Sequence, residues 1–144
     1  MNRIKIELPE NFSFATVIRI RITDLNYGGH VGNDRFLSLI HEARQQFLMS
    51  HGYKELEIAG VGLIMADVAI EFKKELNHGD DIRISVAAAG FDKLGFDLFY
   101  KLELLNEAET ILAGKAKTGM MCYDYRLKKK TAVPEEVIAK LSHK

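Results

Sequence analysis

Asp24-Leu25-Asn26-Tyr27-Gly28-Gly29-His30-Val31-Gly32, running directly into Asn33-Asp34-Arg35-Phe36-Leu37-Ser38-Leu39-Ile40-His41-Glu42-Ala43-Arg44, is the stretch whose reading decides the fold. The first half is a short Gly-rich loop. From Asn33 the apolar residues Phe36, Leu37, Ile40, Ala43, Phe47 and Leu48 fall at helical spacing. Asn33 or Asp34 can cap the start by accepting a bond from a free backbone N–H, and Gly52 suits the end. The run Leu37 to Ile40 leaves little of the middle polar, so burial over much of the circumference is expected.

Everything around this helix has a different rhythm. Phe14, Thr16, Ile18, Ile20 and Ile22 alternate with Ala15, Val17, Arg19, Arg21 and Thr23, the period of two that marks a half-buried strand. Val61 to Leu76 reads as a second strand, with Ile64, Ala66, Val68, Ile70 and Phe72 on one face, and His78-Gly79-Asp80-Asp81 as a turn. Ile82 to Ala88 follows. After a bend at Phe91-Asp92-Lys93, a strand has Phe96, Leu98, Tyr100, Leu102 and Leu104 on one face. Asn106-Glu107-Ala108 is a further turn, Thr110 to Tyr125 the longest strand, and Pro134 opens a short helix through about Leu141. Strands joined by tight turns imply an antiparallel sheet; one long apolar helix against it gives the α+β class. With no repeat and no linker, residues 1–144 read as one domain.

Composition narrows the function. Lys+Arg and Asp+Glu are both 20, so no net charge draws the molecule to nucleic acid or an anionic membrane. The single cysteine, Cys122, cannot form an internal disulfide, which suits a reducing cytosol. The N-terminal residues do not read as a signal peptide, and the most apolar stretch, Ile58 to Ile70, is interrupted by Asp67 and too short to span a bilayer. A cytoplasmic protein is expected. His30, His41, His51 and His78 are scattered over different elements, so neither a metal nor another cofactor is expected.

The loop and helix resemble the signature of the 4-hydroxybenzoyl-CoA thioesterase family, roughly D-x-D-x-x-G-H-V-N-N-x-x-Y/F, here Asp24 to Phe36. The family's helix continues with E-A-R, here Glu42-Ala43-Arg44. Its second-strand pattern, I-x-Y/F and then G-D, is matched by Ile70-Glu71-Phe72 and Gly79-Asp80. The resemblance covers most of Arg19 to Tyr125 and implies a hotdog fold, an antiparallel sheet wrapped around one central helix. It also implies an acyl-CoA substrate. One departure bears on the chemistry: the family's catalytic carboxylate is the second Asp of D-x-D, and that position here is Asn26. Gly32 likewise replaces the first Asn of the N-N pair.

Hydrolysis of a thioester needs a carboxylate that attacks or activates water, and donors for the oxyanion that develops. Free N–H groups in the first helical turn, at about Asn33 and Asp34, meet the second need at the positive end of the helix dipole. Gly28 and Gly29 would let substrate approach the backbone. The first need is open, because Asn26 does not titrate, though its amide can donate to a carbonyl or hold a water. Three readings compete. Asp24 or Glu42 supplies the charge while Asn26 orients water; or hydrolysis is slow and rests on positioning; or the protein binds acyl-CoA without hydrolysing it. Asp24 could equally bond a backbone N–H two residues on. His30 is expected to line the pocket, Tyr27 and Phe36 to contact the acyl group. Glu42 belongs to an exposed polar stripe or to a buried, pKa-raised carboxyl; relatives that carry an acid two turns into this helix have it nearest Ile40. The basic run Arg126-Leu127-Lys128-Lys129-Lys130 is a solvated turn or a holder of the coenzyme A phosphates.

Family members pair two subunits through the second strand, with the active site at their boundary. By that resemblance Ile64 to Phe72 would form a sheet continuous across a homodimer. Leu63 and Met65, facing the other way, suggest a homotetramer.

Overall fold

The helix expected from Asn33 forms as α1, Asn33–Ser50, and its C-terminus ends as the glycine predicts. Gly52 takes φ +83°, its N–H donates to Met49 O at 3.0 Å, and the Tyr53 N–H donates to Leu48 O at 2.9 Å. That pair of bonds is the Schellman closure, which needs a left-handed residue just past the helix.

The structure, a computed structural model, describes residues 2–142. Around α1 lie β1 (Phe14–Arg19), β2 (Gly62–Phe72), β3 (Asp81–Ala89), β4 (Gly95–Leu105), β5 (Thr110–Asp124) and β6 (Lys129–Lys130), with α2 (Glu135–Leu141) last. All neighbouring strands are antiparallel, in the order β1-β3-β4-β5-β2, with β6 on the end of β5. The predicted inward set of β4, Phe96, Leu98, Tyr100, Leu102 and Leu104, is buried throughout and faces α1 through Phe36, Leu39, Ile40, Ala43, Phe47 and Leu48. Each such side chain contributes about 1.5–3 kcal/mol on burial. No described helix is long and apolar enough to cross a membrane.

Several expectations are corrected. The first strand stops at Arg19, not Thr23, because Ile22–Asp24 winds into a 3-10 turn whose start, the Arg21 N–H, donates to the Asp24 carboxylate at 2.8 Å. The helix is buried on one side only: Ser38, His41 and Glu42 face solvent, since one sheet covers one face. Arg44, of the E-A-R element, is buried. Its Nε donates to Glu55 Oε1 at 2.8 Å and a terminal nitrogen to the Tyr100 hydroxyl at 3.4 Å, so the buried charge is paired. The second strand ends at Phe72 rather than Leu76, where the Lys73 and Lys74 N–H groups both turn to Ala113 O.

The largest correction is a β-bulge. Met65 pairs Met120 but Asp67 pairs Gly119, so Ala66 is an extra residue and the alternation changes phase. Leu63 is therefore buried against the core, opposite Cys122, and is not available to a tetramer contact. Ile64, expected with Val68, Ile70 and Phe72, lies on the other face.

Residues ahead of β1 cross the outward face of the sheet. The Ile6 N–H donates to Glu71 Oε2 at 2.5 Å, Lys115 Nζ donates to Ile6 O at 3.3 Å, and Lys101 Nζ lies 5.2 Å from the Phe12 ring centroid. Glu71, Lys115 and Lys101 are cross-strand neighbours, so the segment steps from β2 to β5 to β4. The Ile6 N–H, helped by Lys73, holds the Glu71 carboxyl below the usual carboxylate range. A depressed carboxyl contributes stability that is complete above its unfolded pKa, about 4.3, and lost as pH falls through the lower folded value. In an NMR titration the Ile6 amide resonance should therefore move with a midpoint below that of an ordinary glutamate, and in Glu71→Gln the movement should vanish.

Candidate active site

A cavity of about 390 Å³ opens where the Gly-rich loop meets α1. Asn26, His30 and Val31 of the loop, Asn33 and Phe36 of α1, Phe72 at the end of β2 and residues 73–76 after it line it. The loop and the post-β2 segment are tied together, the Val31 N–H donating to Leu76 O at 3.0 Å.

The loop holds its shape with its own backbone. The Asn26 N–H donates to His30 O at 2.8 Å and the Gly29 N–H to Asn26 O at 3.0 Å, with Gly29 at φ +85°. The Asn26 side-chain oxygen accepts from the Gly28 N–H at 2.9 Å and from the His30 N–H at 3.4 Å. That occupies the acceptor and leaves the amide nitrogen, a donor only, on the side of the helix start. A Cβ placed on Gly32 would lie 3.8 Å from that nitrogen and 2.7 Å from Asp34 Oδ1.

Gly32 is the N-cap of α1 and offers no side-chain cap; the first satisfied helical amide is Phe36, donating to Gly32 O at 2.9 Å. The N–H groups of residues 33–35 have no partner within the helix and sit at its positive end. Phe36 drops into a gap in β5: a Cβ on Gly114 would come within 2.7 Å of its ring. Its ring meets Phe72 edge to face with centroids 5.0 Å apart, which gives the cavity an apolar wall.

The structure thus gathers Asn26, His30, Asn33 and Phe36 and separates the other candidates from them. Asp24 is buried, its carboxylate spent on the Arg21 N–H and guanidinium. Glu42 is exposed and accepts from Gln46 Nε2 at 2.6 Å. Both face a different groove, between β1 and α1. Gly28 and Gly29 spend their N–H groups inside the loop, Tyr27 stands fully in solvent, and Asp34 lies outside the cavity beside Leu37 and His41. Residues 126–130 form the β5–β6 hairpin, with Asp124 Oδ1 accepting from the Arg126 and Leu127 N–H groups. The cations on the cavity are Lys73 and Lys74.

Sequence reasoning missed the post-β2 contribution, Lys73, Lys74 and Glu75. Glu75 is the one carboxylate among the described residues lining the cavity. Its Oε2 is 3.5 Å from His30 Nε2, while His30 Nδ1 is 2.8 Å from Asn77 Oδ1. The only early signal was position, just ahead of Gly79-Asp80. No group of three or more His, Cys, Asp or Glu among the described residues is placed to hold a metal ion. Cys122 is buried behind the core, which pushes its thiol up to about 11 and leaves it unreactive.

The family model for the thioesterase-like superfamily matches residues 20–141. The chain belongs to that superfamily. Among curated relatives, it is similar to the acyl-CoA thioesterase YbgC of Haemophilus influenzae, 24% identical over 94% of this chain and 98% of the relative. It is also similar to the 1,4-dihydroxy-2-naphthoyl-CoA hydrolase of Microcystis aeruginosa, 28% identical over 82% and 85%. Among solved structures, a mutant 4-hydroxybenzoyl-CoA thioesterase complexed with 4-hydroxybenzoyl-CoA superposes with TM-score 0.79, covering 90% of this chain and 98% of that one at 14% identity. The architecture is the hotdog fold, and membership of the superfamily assigns thioester hydrolysis as the general chemistry.

In this thioesterase-like protein the Phe36 seat is a packing constraint that can be tested. Gly114→Ala should cost about 1–3 kcal/mol by overpacking, read from urea denaturation. Adding Phe36→Leu should recover part of that loss.

Proposed function

We propose that the protein hydrolyses an acyl-CoA thioester to the free acid and CoA, as a homodimer. The observation that carries this reading is the uncapped start of α1 opening into the cavity. A thioester oxygen bound there accepts from the Asn33 N–H at the start of α1, which strengthens its hold as negative charge develops. The Asn26 amide donates to the same oxygen or to the attacking water. His30 faces that water, and Phe36 with Phe72 receives the acyl group. Lys73 and Lys74 meet the anionic coenzyme. Asp24 and the two glycines act on this site by holding the turn, and Glu42 lies on the far groove.

Pairing supports the same picture. β2 is an edge strand whose outer side has no strand neighbour among the described residues, and Met65, Val68 and Phe72 remain exposed along it. Addition of a second β2 would remove that edge and close the cavity from the side of Phe72. Tyr27, standing in solvent, is then available to a partner.

A second reading, acyl-CoA binding without hydrolysis, is favoured by one observation: position 26 is an amide, and neither Asp24 nor Glu42 reaches the cavity. Free-thiol release from a panel of aliphatic and aromatic acyl-CoAs decides between them. Hydrolysis predicts turnover of at least one with kcat/KM at or above about 10⁴ M⁻¹s⁻¹. Binding without turnover by the wild type, together with turnover newly created by Asn26→Asp, establishes the binder instead.

A further inference from the structure

We infer that His30 is the general base of the reaction and that Glu75 positions it, together standing in for the carboxylate that Asn26 cannot supply. This rests on the hydrolase reading and adds the residue that activates water.

The geometry runs through the link between the loop and the post-β2 segment. His30 Nδ1 lies 2.8 Å from the Asn77 side-chain oxygen, an acceptor only, so the proton of the neutral ring sits on Nδ1. The lone pair is then on Nε2, the nitrogen beside Glu75 Oε2 at 3.5 Å. That gap is at the long limit of a direct contact, so a water bound in front of Nε2, on the cavity side, would have the Glu75 carboxylate beside it. The cavity it would enter is the one lined by Asn33 at the start of α1. His30 is thus tied from behind and open in front, as a base must be.

The step balances without a further reactant. Nε2 takes a proton as the water oxygen bonds to the thioester carbon, and the carbonyl oxygen becomes the oxyanion held at Asn33, at the start of α1. The imidazolium now presents Nε2–H to the Glu75 carboxylate. Collapse breaks the carbon–sulfur bond, and the departing thiolate takes the proton from Nε2, leaving acid and CoA thiol. Glu75 is mostly exposed, its side chain at 73%, so its effect on His30 is screened and modest. Lys73 and Lys74 on the same segment, and the positive end of α1, oppose the imidazolium.

The test uses the full-length protein and the acyl-CoA that the wild type turns over best. His30→Asn keeps an N–H able to reach Asn77 and removes Nε2, so the loop stays tied. Its kcat should fall about 10²–10⁴-fold with KM nearly unchanged. Glu75→Gln should lower kcat about 3–10-fold at constant KM, and Glu75→Asp should recover part of it. Independently of turnover, ¹⁵N spectra of the imidazole should show the Nδ1–H tautomer in the neutral ring. Wild-type turnover that persists within about threefold in His30→Asn, or an Nε2–H tautomer, overturns the assignment and leaves the hydrolase reading standing. A wild type that binds but releases no thiol overturns both.

Discussion

The structure depends on a helix anchored everywhere except at its first turn. α1 is closed at its end by the Gly52 Schellman bonds and seated at its beginning by Phe36 against Gly114. Between them Ile40, Ala43, Phe47 and Leu48 are buried against the sheet. A helix so held cannot unwind to satisfy its leading amides, and the residue before it, Gly32, has no side chain to cap them. They must meet water or a ligand. The loop avoids competing for them: the oxygen of Asn26 turns back to Gly28 and His30, so the loop presents donors to the cavity. Lys73 and Lys74 add cations, and the whole opening favours a molecule that brings negative charge or develops it.

The bulge in β2 is what brings the opposite wall into place. Asp67 Oδ1 accepts from the Gly119 N–H at 3.0 Å and from Lys117 Nζ at 2.8 Å, pinning the extra residue. Chiefly the Lys117 bond holds the Asp67 carboxyl below the usual range. Because the alternation changes phase there, Leu63 and Phe72 both point toward the helix although their separation is odd. Without it, a strand that buried Leu63 would turn Phe72 outward and Glu71 inward. The cavity would lose its aromatic wall, and the N-terminal segment would lose its acceptor for Ile6.

That dependence explains what could be read in advance. The helix, its closing glycine, the inward face of β4 and the antiparallel order follow from local periodicity and turn chemistry, and all were legible. So was the clustering of Asn26, His30, Asn33 and Phe36, which lie within a dozen residues and need only a loop entering a helix. The bulge was not, because it depends on hydrogen bonds from Gly119 and Lys117 some 50 residues away. The burial of Arg44 depends likewise on Glu55, Tyr100 and Thr118, distant residues that give its charge a polar pocket. Glu75 was invisible for the same reason. Its partner is across the cavity, and nothing in Lys73-Lys74-Glu75-Leu76 distinguishes a cavity-lining residue from a solvated turn.

Asn26 carries the same division between holding the fold and serving the cavity. Its structural task, one oxygen accepting two loop amides, is performed equally well by an amide or by one oxygen of a carboxylate. The fold is therefore indifferent between Asn and Asp at this position, and the difference falls entirely on the second atom, a donor instead of a negatively charged acceptor. In the proposed reaction a donor there would reinforce the helix amides toward the oxyanion and contribute nothing toward removing a proton from water. Proton removal then has to come from another group on the same cavity, since a base must lie within one water of the reacting proton. Asp24 and Glu42 face the other groove and fail that geometric condition. On the cavity itself, among the described residues, the group proposed for that task is His30 with Glu75 beside it.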